Sequence, residues 1–132
     1  MGGGIMLFDT CKNSKHQGSI GETRAIHEYT KLGYIVSKPI CDCDYDLIVD
    51  DGCSLKRVQV KTTKNKRRGT YICNLRVMGG NQSFNVVKNR NPDSWDILFV
   101  LTENENCWSI PSDEFDAVNS LTLDSRFDCY KI

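Results

Sequence analysis

No stretch of this sequence is apolar over the length that a membrane-spanning helix requires, and its first residues carry no cationic-then-apolar secretion pattern. Residues 1–4 lack the myristoylation pattern, because Met6 stands where Ser or Thr belongs, and they read as a flexible end. A phosphate-binding Gly-Lys-Ser/Thr loop is also missing, since Gly79-Gly80 leads only into Asn81, so no organic cofactor is expected. His16 and His27 stand alone, and His27 is expected exposed on a helix. Ser19 has no triad partner in sequence order. Cys41-x-Cys43 lacks the second Cys or His pair of a zinc site. Seven cysteines without a secretion signal read as free thiols in a reducing compartment, and the protein is expected to be intracellular and cytoplasmic.

The most informative absence is local. Residues 55–90 contain no Asp or Glu, yet hold ten cations: Lys56, Arg57, Lys61, Lys64, Lys66, Arg67, Arg68, Arg76, Lys88 and Arg90. Residues 91–132 carry nine acids against Arg126 and Lys131, and the whole chain balances at 17 of each sign. Segregation of this kind creates a local positive field despite a net charge of zero, and a polyanion is the partner it suits.

With 132 residues the chain is expected to form one domain with a real core. Residues 18–33 read as a helix, with Ser19 at its start, Gly33 at its end, and Ala25, Ile26, Tyr29 and Leu32 at helical spacing. Strands are expected at 34–37, 45–50, 55–62, 70–76, 96–102 and 107–110. Asp50-Asp51-Gly52 and Glu103–Asn106 supply turns, as does Gly79-Gly80-Asn81. The run Asp96–Thr102 reads as a strand buried on both faces. Pro111–Val118 begins like a helix. The layout is α/β (α+β): a single mixed central sheet flanked by helices.

Alternate residues of a strand share a face. Val58 and Val60 then point into the core, while Arg57, Gln59 and Lys61 point the other way. A hairpin turning at 51–53 brings Asp46 to the level of Gln59–Lys61, so a carboxylate, an amide and an ammonium converge. Glu22 has two readings. With Ser19 it fits a capping box. It also lies on the stripe of Ile26 and Tyr29 that should face the sheet, where a carboxylate needs a partner such as a metal ion.

Glu22 in Gly18-Ser19-Ile20-Gly21-Glu22, Asp46 in Tyr45-Asp46-Leu47-Ile48-Val49, and Val58-Gln59-Val60-Lys61-Thr62 resemble, in this order, the PD-(D/E)XK nuclease superfamily, and most closely its group I intron-encoded homing endonucleases. The likeness spans residues 18–62 and more loosely Trp95–Pro111. It implies a restriction-endonuclease-like core and a single nuclease domain over residues 1–132. Tyr45 replaces the superfamily's Pro. Gln59 replaces the second acid, as it does in the intron-encoded branch, and lowers the negative charge of the site.

Phosphodiester hydrolysis needs a water nucleophile and neutralisation of the phosphate. Mg²⁺, with Mn²⁺ as a substitute, supplies both. Asp46 is the expected main ligand and Glu22 the auxiliary one, with the Gln59 side-chain oxygen and the Val60 carbonyl completing the shell. Lys61 is the expected catalytic cation. Arg57 and the loop Lys64, Lys66, Arg67 and Arg68 are expected to contact double-stranded DNA. Phe84 is a candidate for base stacking or packing. Cutting both strands at a rare site requires a homo-oligomer, a dimer or tetramer. Trp95, Phe99, Trp108, Phe115, Phe127 and Tyr130 are the expected interface. The alternatives are a Holliday-junction-resolvase-like, structure-selective nuclease and a DNA-binding module that Gln59 has rendered inactive.

Overall fold

The computed structural model describes residues 4–78 and 87–132. Residues 1–3, the Gly79-Gly80-Asn81 turn and Phe84 lie outside the described residues. Helix α1 runs Ser14–Lys31, one turn earlier than the sequence pattern placed it. Asn13 takes the cap position, its Oδ1 accepting from the His16 N–H at 2.9 Å. Ser19 is therefore interior, and its hydroxyl donates back to the Lys15 carbonyl at 3.2 Å. The capping box between Ser19 and Glu22 does not form. The other end is as expected. Gly33 adopts φ +86°, its N–H bonds Thr30 O, and the Tyr34 N–H bonds Tyr29 O, which satisfies the last carbonyls of the helix.

The strands follow as β1 Ile35–Ser37, β2 Leu47–Asp50, β3 Leu55–Thr63, β4 Lys66–Arg67, β5 Thr70–Asn74, β6 Val77–Met78, β7 Val87–Lys88, β8 Ile97–Thr102, β9 Cys107–Pro111 and β10 Ser120–Thr122. The main sheet has five strands in the order β1-β2-β3-β8-β9, and only β3 and β8 pair in parallel, so it is mixed as expected. A smaller three-stranded sheet, β10-β5-β4, covers one face. The β2–β3 turn forms where Asp-Asp-Gly predicted it: Asp51 Oδ1 accepts from the Cys53 and Ser54 N–H groups at 2.8 and 2.9 Å, and Gly52 supplies φ +91°.

Every residue of β8 is buried, as its unbroken apolar run requires. On one face Phe99 and Leu101 pack with Val58, Leu47, Val49, Ala25 and Tyr29 under α1. On the other, Leu98 and Val100 pack with Trp108, Ile110, Trp95, Phe115, Phe127 and residues of the small sheet. The expected interface aromatics are thus spent inside the chain: Trp95, Phe99, Trp108, Phe115 and Phe127 are all buried, and only Tyr130 is half-exposed.

The helix expected from Pro111 is a single 3₁₀ turn, Ser112–Glu114. Arg90 holds the segment that follows. This guanidinium is 4% exposed and donates to the carbonyls of Ala117 at 2.7 Å and Phe115 at 2.9 Å, and to the Ser112 hydroxyl at 2.9 Å. It also lies 4.1 Å from the Phe115 ring. Phe115 is already extended, at φ −152°, so the chain leaves helical geometry after one turn. A second 3₁₀ helix, Ser125–Tyr130, follows β10, and neither was legible from local pattern.

Candidate active site

A close approach of helix to strand positions the site. Gly21 lies against β3, where a Cβ on it would meet Val60 Cγ1 at 3.3 Å and Thr62 Cγ2 at still shorter range. Gln17 Nε2 donates to Thr62 Oγ1 at 2.9 Å and ties the first turns of α1 to the same strand. The buried stripe of the helix is Gly21, Ala25, Glu28 and Tyr29. Glu22 sits on its shoulder, half-buried, and faces a cleft of about 390 Å³.

Glu22, Asp46, Gln59 and Val60 all line this cleft, together with Lys15 and Lys38. Register Leu47↔Val58 places Asp46 beside Gln59 and Val60. The Asp46 N–H donates to Val58 O at 2.8 Å, and its Oδ2 accepts from the Val60 N–H at 2.8 Å. The Asp46 carboxylate therefore takes over where the β2–β3 ladder ends. Burial pushes its pKa above the usual carboxylate range, and the Glu22 charge adds to that rise. The Val60 N–H and the charges of Lys61 and Lys38 oppose it without cancelling it.

Lys61 lies outside the lining of the cleft. Its Nζ donates to the Arg76 carbonyl at 3.1 Å, while its charge still acts on Asp46. Lys38 is the residue that sequence reasoning missed. Its ammonium pairs with Glu22 Oε1, and this hydrogen bond first, then the Glu22 charge, holds Lys38 above the usual lysine range. No local pattern marked it: the antiparallel register Ser37↔Ile48 of the folded sheet leaves Lys38 next to the Leu47–Asp46 step.

The residues present fit a hard divalent cation. Two carboxylates with mutual repulsion line one cleft together with Gln59 and Val60, and an ammonium is already drawn to it.

The expected DNA contacts divide. Lys64, Lys66, Arg67 and Arg68 are exposed on the β4–β5 hairpin, whose Arg68-Gly69 turn has φ +53° and +81°. Arg57 stands apart from them. Its guanidinium bonds Asp96 at 3.1 and 3.2 Å and the Asp93 carbonyl at 3.0 Å, and it lies 5.9 Å from the Tyr45 ring. Arg90 is internal, so the positive surface is narrower than the charge count implied. A larger cleft of about 490 Å³ opens beside Arg57, but Arg57 already neutralises Asp96 there and holds its carboxyl below the usual range.

The mixed five-stranded sheet with its helix is the fold of a PD-(D/E)XK nuclease. The profile of the PD-(D/E)XK endonuclease family matches residues 12–125, and the chain belongs to that family, whose members generally use divalent metals. A solved bacterial homing endonuclease, I-Ssp6803I, superposes with a TM-score of 0.69 at 27% identity, covering 86% of this chain and 79% of that one. A search of curated proteins finds no match. No helix among the described residues is long and apolar enough to cross a membrane.

Proposed function

We propose that this chain is a metal-dependent DNA endonuclease of the homing type. The observation that carries the reading is the meeting of Glu22, Asp46, Gln59 and Val60 in one cleft, with Gln59 and Val60 on the strand that leads through Lys61 toward the basic hairpin. The family and the homing endonuclease likeness support it.

Asp46 and Glu22 would hold Mg²⁺ or Mn²⁺, with the Gln59 oxygen and the Val60 carbonyl as further ligands. When bound, the metal supplies Lewis acidity and a nucleophilic water at neutral pH. Asp46 is aimed by its bond to the Val60 N–H, so its carboxylate is preorganised. Lys61 orients the attacking water and stabilises negative charge as the phosphorus–oxygen bond breaks. Lys64, Lys66, Arg67 and Arg68 contact phosphates. Arg57 has a structural role, since its donors hold Asp96 and Asp93. One copy contacts about one turn of duplex, roughly ten base pairs, so we propose a dimer or tetramer that supplies two active sites.

The test is cleavage of duplex DNA with Mg²⁺. Asp46→Asn and Lys61→Ala are each expected to lose about 100-fold or more in rate with binding largely kept. Cutting by Lys61→Ala at the wild-type rate would place the chemistry elsewhere. Faster cutting of a four-way junction than of linear duplex would assign a structure-selective nuclease instead.

A further inference from the structure

We propose that Lys38 is a phosphate-contacting cation held in reserve on Glu22, and that metal binding releases it to the DNA. The inference rests on the nuclease reading above and adds a coupling between metal and substrate.

The backbone of Lys38 is anchored while its ammonium is not. Strand β1 ends at Ser37 in register with Ile48, and Pro39 follows Lys38, which holds its backbone extended. Beyond this anchor extends a flexible four-carbon stem. The Lys38 side chain is 64% exposed and the Glu22 side chain 23%, so the ammonium is on the solvent side of the pair and the carboxylate on the cleft side. Exposed pairs of this type are weak and break readily.

Glu22 and Asp46 would hold a divalent cation between them, and Glu22 would then lose its hold on the ammonium. Lys38 must then leave Glu22, yet its anchor keeps it at the rim of the cleft that a scissile phosphate has to approach. DNA rewards this release, since a phosphate takes the place of the carboxylate. Metal therefore tightens DNA binding, and by reciprocity DNA tightens metal binding. The long lever of lysine suits a cation that changes partners, and arginine at this position preserves the charge and the reach.

The experiment uses the full chain, Lys38→Met, Lys38→Arg, and Lys12→Met as a control for loss of one exposed charge. Mn²⁺ affinity without DNA is read by the electron paramagnetic resonance of free Mn²⁺. Affinity for a random-sequence duplex is read by fluorescence anisotropy across salt, with and without Ca²⁺. Lys38→Met is expected to bind Mn²⁺ roughly two- to fivefold tighter than wild type, because the competitor is gone. In wild type, Ca²⁺ is expected to steepen the salt slope by about 0.9, equivalent to one phosphate. Lys38→Met loses that increment, Lys38→Arg keeps it, and Lys12→Met keeps it. Unchanged Mn²⁺ affinity in Lys38→Met, or an increment that survives in it, overturns the proposal. Wild-type protein that takes up no Mn²⁺ overturns the nuclease reading as well. Wild type that binds Mn²⁺, loses it in Asp46→Asn and is indifferent to Lys38→Met sinks only the coupling.

Discussion

Gly21 on α1 and Thr62 on β3 approach so closely that a Cβ on Gly21 would overlap Thr62 Cγ2. The obstructing atom belongs to a β-branched side chain, whose rotamer is stiff and whose hydroxyl is held by Gln17. Gly21→Ala should therefore push the helix off the strand, cost about 1–3 kcal/mol of stability, and displace the adjacent Glu22 from the cleft. Thr62→Ser removes the methyl and keeps the hydroxyl. The double variant is expected to recover most of the stability and the cleavage rate, a coupling that denaturant titration and single-turnover cleavage measure. Additive losses would mean that this close approach does not set the position of Glu22.

Glu28 is a buried carboxylate between Arg24 Nε at 3.1 Å and Lys31 Nζ at 3.3 Å. Burial pushes its pKa up, but the hydrogen bonds and charges of Arg24 and Lys31 outweigh burial and hold it below the usual range. A depressed folded pKa means that the unfolded chain takes protons first. The stabilisation is present above the unfolded value of about 4.3 and is lost as pH falls through the folded one. Urea midpoints should fall between pH 5 and 3 more steeply in wild type than in Glu28→Gln. Asp51, Asp96 and Asp124 are also held low and titrate in both proteins, so the difference isolates Glu28. Equal slopes would show that the pair contributes nothing.

Gln59 lines the cleft as an amide where an acid is the commoner choice. Gln59→Glu adds a carboxylate, and is expected to retain cleavage and bind Mn²⁺ more tightly. Gln59→Leu offers no oxygen and should lose about 10-fold or more in rate. Identical rates and Mn²⁺ affinities for Gln, Glu and Leu would remove this position from the metal shell.

Arg68 adopts φ +53°, a conformation that costs a non-glycine residue roughly 1–2 kcal/mol, at the tip of the basic hairpin. Glycine fits that turn better. The combination Lys64→Gln, Lys66→Gln, Arg67→Gln and Arg68→Gly should keep or raise the melting temperature while weakening DNA binding. The salt slope should fall by about 0.9 for each phosphate that the hairpin no longer neutralises. Light scattering should show the same oligomeric state as wild type, since the substitutions leave both cores untouched. An unchanged slope would place the DNA elsewhere.

Local pattern carried much of this molecule. Alternation along β3 separated Val58 and Val60 from Gln59 and Lys61, and the Asp-Asp-Gly turn set the hairpin register that brings Asp46 beside Gln59. The unbroken run of β8 announced a strand buried on both faces. Each of these features depends on residues a few positions apart, where backbone geometry alone dictates which side chains share a face.

Other outcomes needed residues that are distant in sequence. Asn13 and Ser19 are both able to cap a helix, and the earlier residue took the cap, leaving Ser19 inside α1. Pro111 and its acids read as a helix start, but the chain turns extended at Phe115, and Arg90, from another segment, holds the carbonyls of Phe115 and Ala117. Trp95, Trp108 and Phe127 could have faced a partner, but the small sheet and the C-terminal turns fold over the central sheet and enclose them. Arg57 met Asp96 across 39 residues, and Lys38 met Glu22 across 16. The sequence by itself determined the strand faces and which candidate residues the β2–β3 hairpin brings together, because periodicity and turn chemistry are local. Only the tertiary structure decided which cations remain free for a polyanion and which are bound to a carboxylate or carbonyl, because a charge pairs with whatever the packed sheet brings within reach.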